Sequence, residues 1–507
     1  MKEIIKRKIS ILFILTAICF ITVIFQSCEQ DFVNTPTATD QFPDEVSALF
    51  NTPYTASNIT CNTPSCHASE NSASGLNLQS WNSTLNGSSN GTMVVPYNGF
   101  WSHMISVINS DTNYAPVTTV TLPEYHKLDS PKVALIMNWI NDGAKNKDGQ
   151  VAFSNVSNSE KGFITNQAAD LVAVIRQNEK QVIRLIPVGG RPSTLDAPHY
   201  VKLSPDMKYY YVSLIQEGFI EKYDVSNYAL VGRTPNSTQT GAGQSPAHIE
   251  ISPDGLKGYV TNFESSGSVT TTRKFNTSTM EVTDIFTDPA MKGPHGMALS
   301  HDGNTLYVTS EIGEYIFKIN TSNFYASDTT YIKEPIDPTV PPSGNGTSNF
   351  RPYQVLLSPD ESLLFVSCRG SSQVRVYNSS DLSQVNAISL GSGAFPLLMK
   401  FTNDGNYLFV CNRNNNTVSI INRASQTVVS TITGVGVQPH GVDFSADGHY
   451  AFIACETQSG FDGHHPTVGS KKSGVTRLIE IQGSNFSLLP NTRLEMGSFP
   501  AGIEFVK

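Results

Sequence analysis

The sequence has little basic charge and little cysteine, and each shortage closes off a class of function. Lysine and arginine number 34 against 43 aspartates and glutamates, a net charge of −9. The basic face that general nucleic-acid binding requires is therefore missing. Ile9–Phe25 is an apolar run near the N-terminus, short of the roughly 20 residues a stable membrane helix needs. No Gly-rich phosphate loop, Ser–His–Asp motif or paired carboxylate set stands out. Cysteine occurs seven times in 507 residues. Two of the seven crowd with a histidine into "CNTPSCH" at 61–67, and the next hundred residues hold no other. What remains is the composition of a folded protein, 39% hydrophobic and 15% charged, long enough for more than one domain. Abundant Asn, Ser, Thr and Gly suit a turn-rich β protein.

Lys2, Lys6, Arg7 and Lys8 precede the apolar run, which ends at "FQSC" with Ser27 before Cys28. A basic segment followed by a short apolar one is a targeting signal. This one resembles a bacterial lipoprotein signal, residues 1–27, with Cys28 as the lipidated first residue of the mature chain. Phe25 and Gln26 depart from the usual Leu and small residue. The alternatives are an ordinary cleaved signal and a single anchor helix, and all three place the rest of the chain outside the cytoplasm. Residues 28–45, polar and without periodicity, read as a tether. Its acidic start resembles a surface-export signal. The expected location is the bacterial cell envelope, lipid-anchored at the outer membrane on its periplasmic or surface face.

Two grammars follow, so the chain reads as multidomain. Residues 46–147 look helical and loop-like. In "SPKVALIMNWINDGA" (130–144), Ser130 serves as a cap and Pro131 suits the first turn. Val133, Ile136, Met137 and Ile140 form an apolar stripe, and Gly143 ends the helix. From residue 161 a phrase recurs: proline, a short strand, a Ser-Pro-Asp-Gly-like turn and a second strand. Copies begin at Pro198, Pro246, Pro294, Pro352, Pro396 and Pro439, and a seventh, "PAGIEFVK", starts at Pro500 and stops after one strand. Its missing part lies at 161–190, which begins like "KGYVTN" (257–262) and continues like 416–436. The repeats predict an all-β, seven-bladed propeller over 161–507, closed by pairing its N- and C-terminal strands. The insertions at 334–350 and 457–474 are expected to be loops on a face of the disc. With its "YVTN" at 259–262, this region resembles the YVTN/YncE-like propellers, which implies a fold and leaves the activity open.

For the cysteine cluster three chemistries compete. Cys61, Cys66 and His67 are spaced C-x₄-C-H, a longer variant of the C-x-x-C-H pattern that attaches c-type haem. A zinc site would need a fourth ligand, His103 or His126. A Cys61–Cys66 disulfide is the simplest alternative outside the cytoplasm. Context favours haem. After His67 come "GLNL" (75–78), "NGSSNGTMVVP" (86–96), "SHMISVI" (102–108), "KL" (127–128) and "IMNWINDGA" (136–144). That ordered set resembles the small, all-α cytochrome c domains of exported bacterial proteins. The resemblance implies one haem c, covalently held by Cys61 and Cys66, with His67 as proximal iron ligand. The family's Met-Pro haem ligand is replaced here by Leu122-Pro123. The sixth ligand is then expected to be His126, with Met104 or an open position as alternatives.

Cys368, Cys411 and Cys455 end second strands and read as buried structural thiols. His199, His295 and His440 each follow a blade-opening proline and are expected near one mouth of the channel, more as structural histidines than as metal ligands. His464 and His465 lie in the long loop before the seventh blade. The expected function is an exported, lipid-anchored c-type cytochrome acting in electron transfer. Its propeller would dock a redox partner protein or a small-molecule substrate. The alternatives are a propeller-based redox enzyme, a haem-dependent oxidoreductase, and a non-haem binding or scaffold protein at the cell surface.

Overall fold

The fold is taken from a computed structural model. It describes residues 39–507 except 54–59, 65, 69–71, 90, 119–125, 192, 265–267, 269, 326–330, 344–348 and 458–470. Cys28, Leu122, Pro123, His464 and His465 lie outside the described residues, as do the leader and most of the tether. Asp40–Lys507 forms one compact unit. Among the described residues no helix is long and apolar enough to cross a membrane.

Among the described residues four short α-helices open this unit: α1 (Asp44–Asn51), α2 (Trp81–Leu85), α3 (His103–Ile108) and α4 (Ser130–Asn141). They share a core of Val46, Phe50, Trp81, Ile105, Val133, Ile136 and Ile140. Two boundaries differ from the sequence reading. The residues before position 46 are not all tether. Phe42 is buried edge-on against Phe50 and Trp139, and Asp40 accepts a hydrogen bond from the Asn82 amide at the start of α2. The cap of α4 is Asp129, one residue before Ser130, because its carboxylate accepts from the Lys132 amide. Pro131 does sit in the first turn, and Gly143 follows the helix at φ +97°.

The rest is seven four-stranded antiparallel sheets. Six are continuous in sequence. In the seventh, Pro500–Phe505 pairs with Lys161–Asn166, followed by Leu171–Arg176 and Gln181–Pro187. The ring therefore closes through its two ends, which removes the free inner edges. Each Ser-Pro-Asp-Gly turn is built the same way. Ser252 Oγ donates to Asp254 Oδ1 and accepts from the Lys257 amide at 2.9 Å, while Gly255 takes φ +72°. Neighbouring blades are joined by hydroxyls of the second strand. Thr165, Ser213, Thr261 and Thr309 donate to the carbonyls of His199, Ala247, His295 and Tyr353 on the next inner strand. The insertion after residue 334 is partly structural. Ile336 is buried, its carbonyl accepts from Tyr377 Oη, and Asp337 pairs with Arg375 at 3.0 Å.

The helical segment seats on blades six and seven. Val95 and Trp101 share a core with Ile164, Ala173, Leu478, Leu494 and Phe505. Gln181 Nε2 donates to the Leu85 carbonyl at 2.9 Å. At the centre of the contact is Glu495, on the outermost strand of blade six, its side chain 0% exposed. It meets His103 Nδ1 at 2.9 Å, accepts from Thr118 Oγ1 at 3.1 Å and pairs with Arg493 at 2.9 Å.

Candidate functional site

The helical segment encloses a cavity of about 640 Å³, counting its solvent-open mouth. Its wall is apolar (Phe50, Leu76, Leu78, Met93, Met104, Val107, Ile108, Leu128 and Ile136) apart from four side chains. Those four are Cys61, Cys66, His67 and His126, so the structure brings the predicted site residues to one cavity. The wall also collects one to three residues from each short motif that follows the cysteines in sequence.

Local hydrogen bonds explain how these side chains are held. The Cys66 amide donates to the Thr63 carbonyl at 2.8 Å and the Leu78 amide to the His67 carbonyl at 2.8 Å. His67 Nδ1 lies 3.2 Å from the Leu76 carbonyl oxygen. A carbonyl only accepts, so Nδ1 carries the proton and Nε2 keeps its lone pair for a ligand. Burial lowers the His67 pKa, with a smaller contribution from nearby His126, which keeps the ring neutral. Burial raises the Cys61 thiol. Lys127, next to His126, ties its segment to the end of α3 by donating to the Val107 and Asn109 carbonyls at 3.0 and 2.7 Å.

The His67 and His126 ring centroids are 6.2 Å apart. A metal between two imidazoles needs about 2 Å of bond on each side, and each centroid sits roughly 1 Å behind its nitrogen, so such a pair spans about 6 Å. The observed centroid separation matches that span.

The other readings of the cluster fare differently. No disulfide joins Cys61 and Cys66 in this structure. For zinc, His103 faces Glu495 and does not line the cavity, whereas His126, the other candidate fourth ligand, does; among the described residues no three His, Cys, Asp or Glu side chains are grouped to hold a metal ion. Met104 does line the wall and stays available beside His126.

In the propeller, His199, His295 and His440 converge although their blades are not neighbours. His199 Nε2 and His295 Nε2 are 3.1 Å apart, and the His199 and His440 rings are 5.8 Å apart between centroids. His440 Nδ1 meets Glu456 at 2.9 Å, and Arg413 clamps that carboxylate. Tyr353 Oη lies 3.3 Å from His440 Nε2. Burial pushes His199 well below its usual pKa and His440 down to about 3, so these are neutral, hydrogen-bonded imidazoles. His248 also packs here, edge-on to Tyr200, and takes the Met297 amide on Nδ1 at 2.7 Å. The sequence reading missed it because it sits one place beyond the post-proline position. Cys368, Cys411 and Cys455 are buried free thiols, as expected.

A closed seven-bladed propeller carrying a small helical unit with an apolar cavity is thus the class that fold and site define. Residues 156–309 and 286–440, together more than half of the chain, match the family described as "Lactonase, 7-bladed beta-propeller". The chain belongs to that seven-bladed lactonase-type propeller family. This places the YVTN-like repeats in a named family, and the helical segment lies outside the matched residues. Among solved structures it is similar to a candidate 6-phosphogluconolactonase from Bacteroides uniformis, at 15% identity and a TM-score of 0.51, covering 68% of this chain and 99% of that one. A candidate 6-phosphogluconolactonase from Bacteroides fragilis aligns at 14% identity and a TM-score of 0.52, over 71% of this chain and 100% of the other. At these identities the likeness is one of fold. The dihydro-heme d1 dehydrogenase NirN aligns over 83% of this chain and 95% of its own at 12% identity, with a TM-score of 0.45, too distant for any argument. No curated protein matches the chain.

Proposed function

We propose that the protein is an exported, lipid-anchored c-type cytochrome acting in electron transfer, with the propeller as docking platform for a redox partner protein or small-molecule substrate. One observation carries the reading: Cys61, Cys66, His67 and His126 share a single apolar cavity, with the two imidazoles 6.2 Å apart. Cys61 and Cys66 would tether haem c, His67 would ligate its iron, and His126 is the preferred sixth ligand. When bound, that group supplies a reversible one-electron couple whose potential the axial ligands and surrounding dielectric set. The Leu76 carbonyl fixes the His67 tautomer, the wall from Phe50 to Ile136 excludes water, and Lys127 holds the His126 segment in place. Cys28 would carry the lipid that keeps the unit at the cell envelope.

The test is an absorbance spectrum and a covalent-haem stain on protein made in a host that matures c-type cytochromes. A sharp reduced α band, lost in C61S/C66S, is expected. A colourless preparation with a mass showing no haem increment refutes the reading.

Family membership favours a second reading, an enzymatic activity of the propeller itself. Turnover of a lactone or a redox substrate by haem-free C61S/C66S protein would support it.

A further inference from the structure

Helix α3 presents different residues to two neighbours. Met104, Val107 and Ile108 line the cavity, while His103 and Ser106 turn to Glu495 on blade six. Residues three and four apart share a helix face, so one short helix serves both sides. A helix of six residues is too short to hold itself, and among the described residues no side chain caps its start. Its partners therefore set its position.

On the propeller side that partner is Glu495, whose side chain is fully buried. Its Oε2 accepts from His103 Nδ1 at 2.9 Å and its Oε1 from Thr118 Oγ1 at 3.1 Å. The Thr118 amide donates in turn to the Ser106 carbonyl at 3.0 Å. At its far end α3 leaves carbonyls that no helical amide reaches. Lys127 Nζ donates to those of Val107 and Asn109 at 3.0 and 2.7 Å, and the Leu128 amide to that of Ile108 at 2.9 Å. An ammonium there also suits the helix dipole. His126 directly precedes Lys127, and Thr118 comes before it in the chain. The stretch that carries His126 is thus held to α3 on both sides, and α3 and Thr118 are held to Glu495. Glu495 itself is not among the residues that line the cavity.

We propose that Glu495 is a positioning residue for the sixth iron ligand, setting where His126 stands through α3 and Thr118. The proposal rests on the haem reading, in which His126 takes that position. The margin is small, since the two ring centroids lie 6.2 Å apart against a span of about 6 Å. A blade of the disc thereby governs how firmly the sixth position is filled.

The test is azide titration of the ferric, haem-loaded full chain, followed by absorbance. An added ligand binds more tightly in proportion to the fraction of molecules whose sixth position is open. E495Q and T118V should each bind azide at least tenfold tighter than wild type, and H126A tighter still. In the H126A background E495Q should add less than twofold, because the position is already open. L364A truncates a buried core residue of blade four and should keep the wild-type affinity, which separates positioning from simple destabilisation. A second readout needs no haem. In C61S/C66S protein, hydrogen exchange at the Leu128 amide should quicken at least tenfold in E495Q and T118V. If neither variant changes azide affinity, if L364A changes it as much, or if E495Q still acts in the H126A background, the proposal falls. Either readout moving without the other also overturns it. A colourless wild type overturns the haem reading and this role with it, whereas a coloured wild type with unresponsive variants overturns this role alone. Should E495Q fail to fold, T118V, which loses one hydrogen bond and keeps its shape, decides.

Discussion

Glu495 is where the helical segment is fastened to the propeller, and removing it gives a measurable prediction. E495A deletes a fully buried carboxylate that receives His103, Thr118 and Arg493 at 2.9–3.1 Å, and leaves those donors inside the interface. Breaking a buried charge pair by removing one partner costs about 3–5 kcal/mol. With a urea slope of about 2 kcal/mol per molar for a segment of this size, the midpoint should fall by about 1.5–2.5 M. The chain supplies its own local probe, because its three tryptophans, Trp81, Trp101 and Trp139, all lie in the helical segment. Tryptophan emission should therefore shift by that amount, while far-ultraviolet dichroism of the β-sheet disc moves little. Burial opposes the Glu495 charge, but His103 and Arg493 hold its pKa below the usual carboxylate value. A depressed folded-state pKa makes this stabilisation complete above the ordinary carboxylate range and lost as pH falls through the folded value. The gap between wild type and E495A should accordingly narrow in acid. A H103A/E495A double variant less destabilised than the sum of the singles would confirm direct coupling. Midpoints within about 0.3 M of each other, or both probes shifting together, would refute the fastening role.

In holo protein, H126M should raise the midpoint potential measured by spectroelectrochemistry, because thioether ligation favours reduced iron relative to imidazole. An unchanged potential would remove His126 from the iron. Asp170 accepts the Asp196 and Ala197 amides at 2.9 and 2.8 Å, and burial pushes its pKa up to about 6. A raised folded-state pKa stabilises below the unfolded value near 4 and loses that contribution as pH rises through about 6. D170N should flatten the pH dependence of the melting temperature across that window. G441A places a methyl 2.1 Å from the Ala501 carbonyl oxygen at the ring seam. It should destabilise by at least about 1–3 kcal/mol in chemical denaturation, and a neutral result would show that the seam yields.

The propeller was legible because each blade repeats the same local chemistry. Proline, alternating strand and a serine–aspartate turn recur often enough to count blades and to locate the seventh in two pieces. The helical site was legible in its residues, since Cys61, Cys66, His67 and His126 do face one cavity. Three things escaped because they depend on contacts distant in sequence. His103 was weighed as a ligand, but its partner Glu495 lies 392 positions away. Phe42 was read as tether because a lone aromatic has no periodicity to mark burial. His199, His295 and His440 are expected near one mouth, but how closely they meet escaped, because blade numbers record order around the ring whereas side chains meet across its axis.

Closure by residues 500–505 has a consequence for biogenesis. The loops and helices that line the cavity leave the ribosome long before the final strand does, yet the helical segment's seat includes Phe505 and Leu494. The cavity-lining segment is therefore made well before its seat is complete. Trimming the last seven residues would leave the inner edge of Lys161–Asn166 bare and the helical unit without a complete seat, a lesion at one terminus felt at the other.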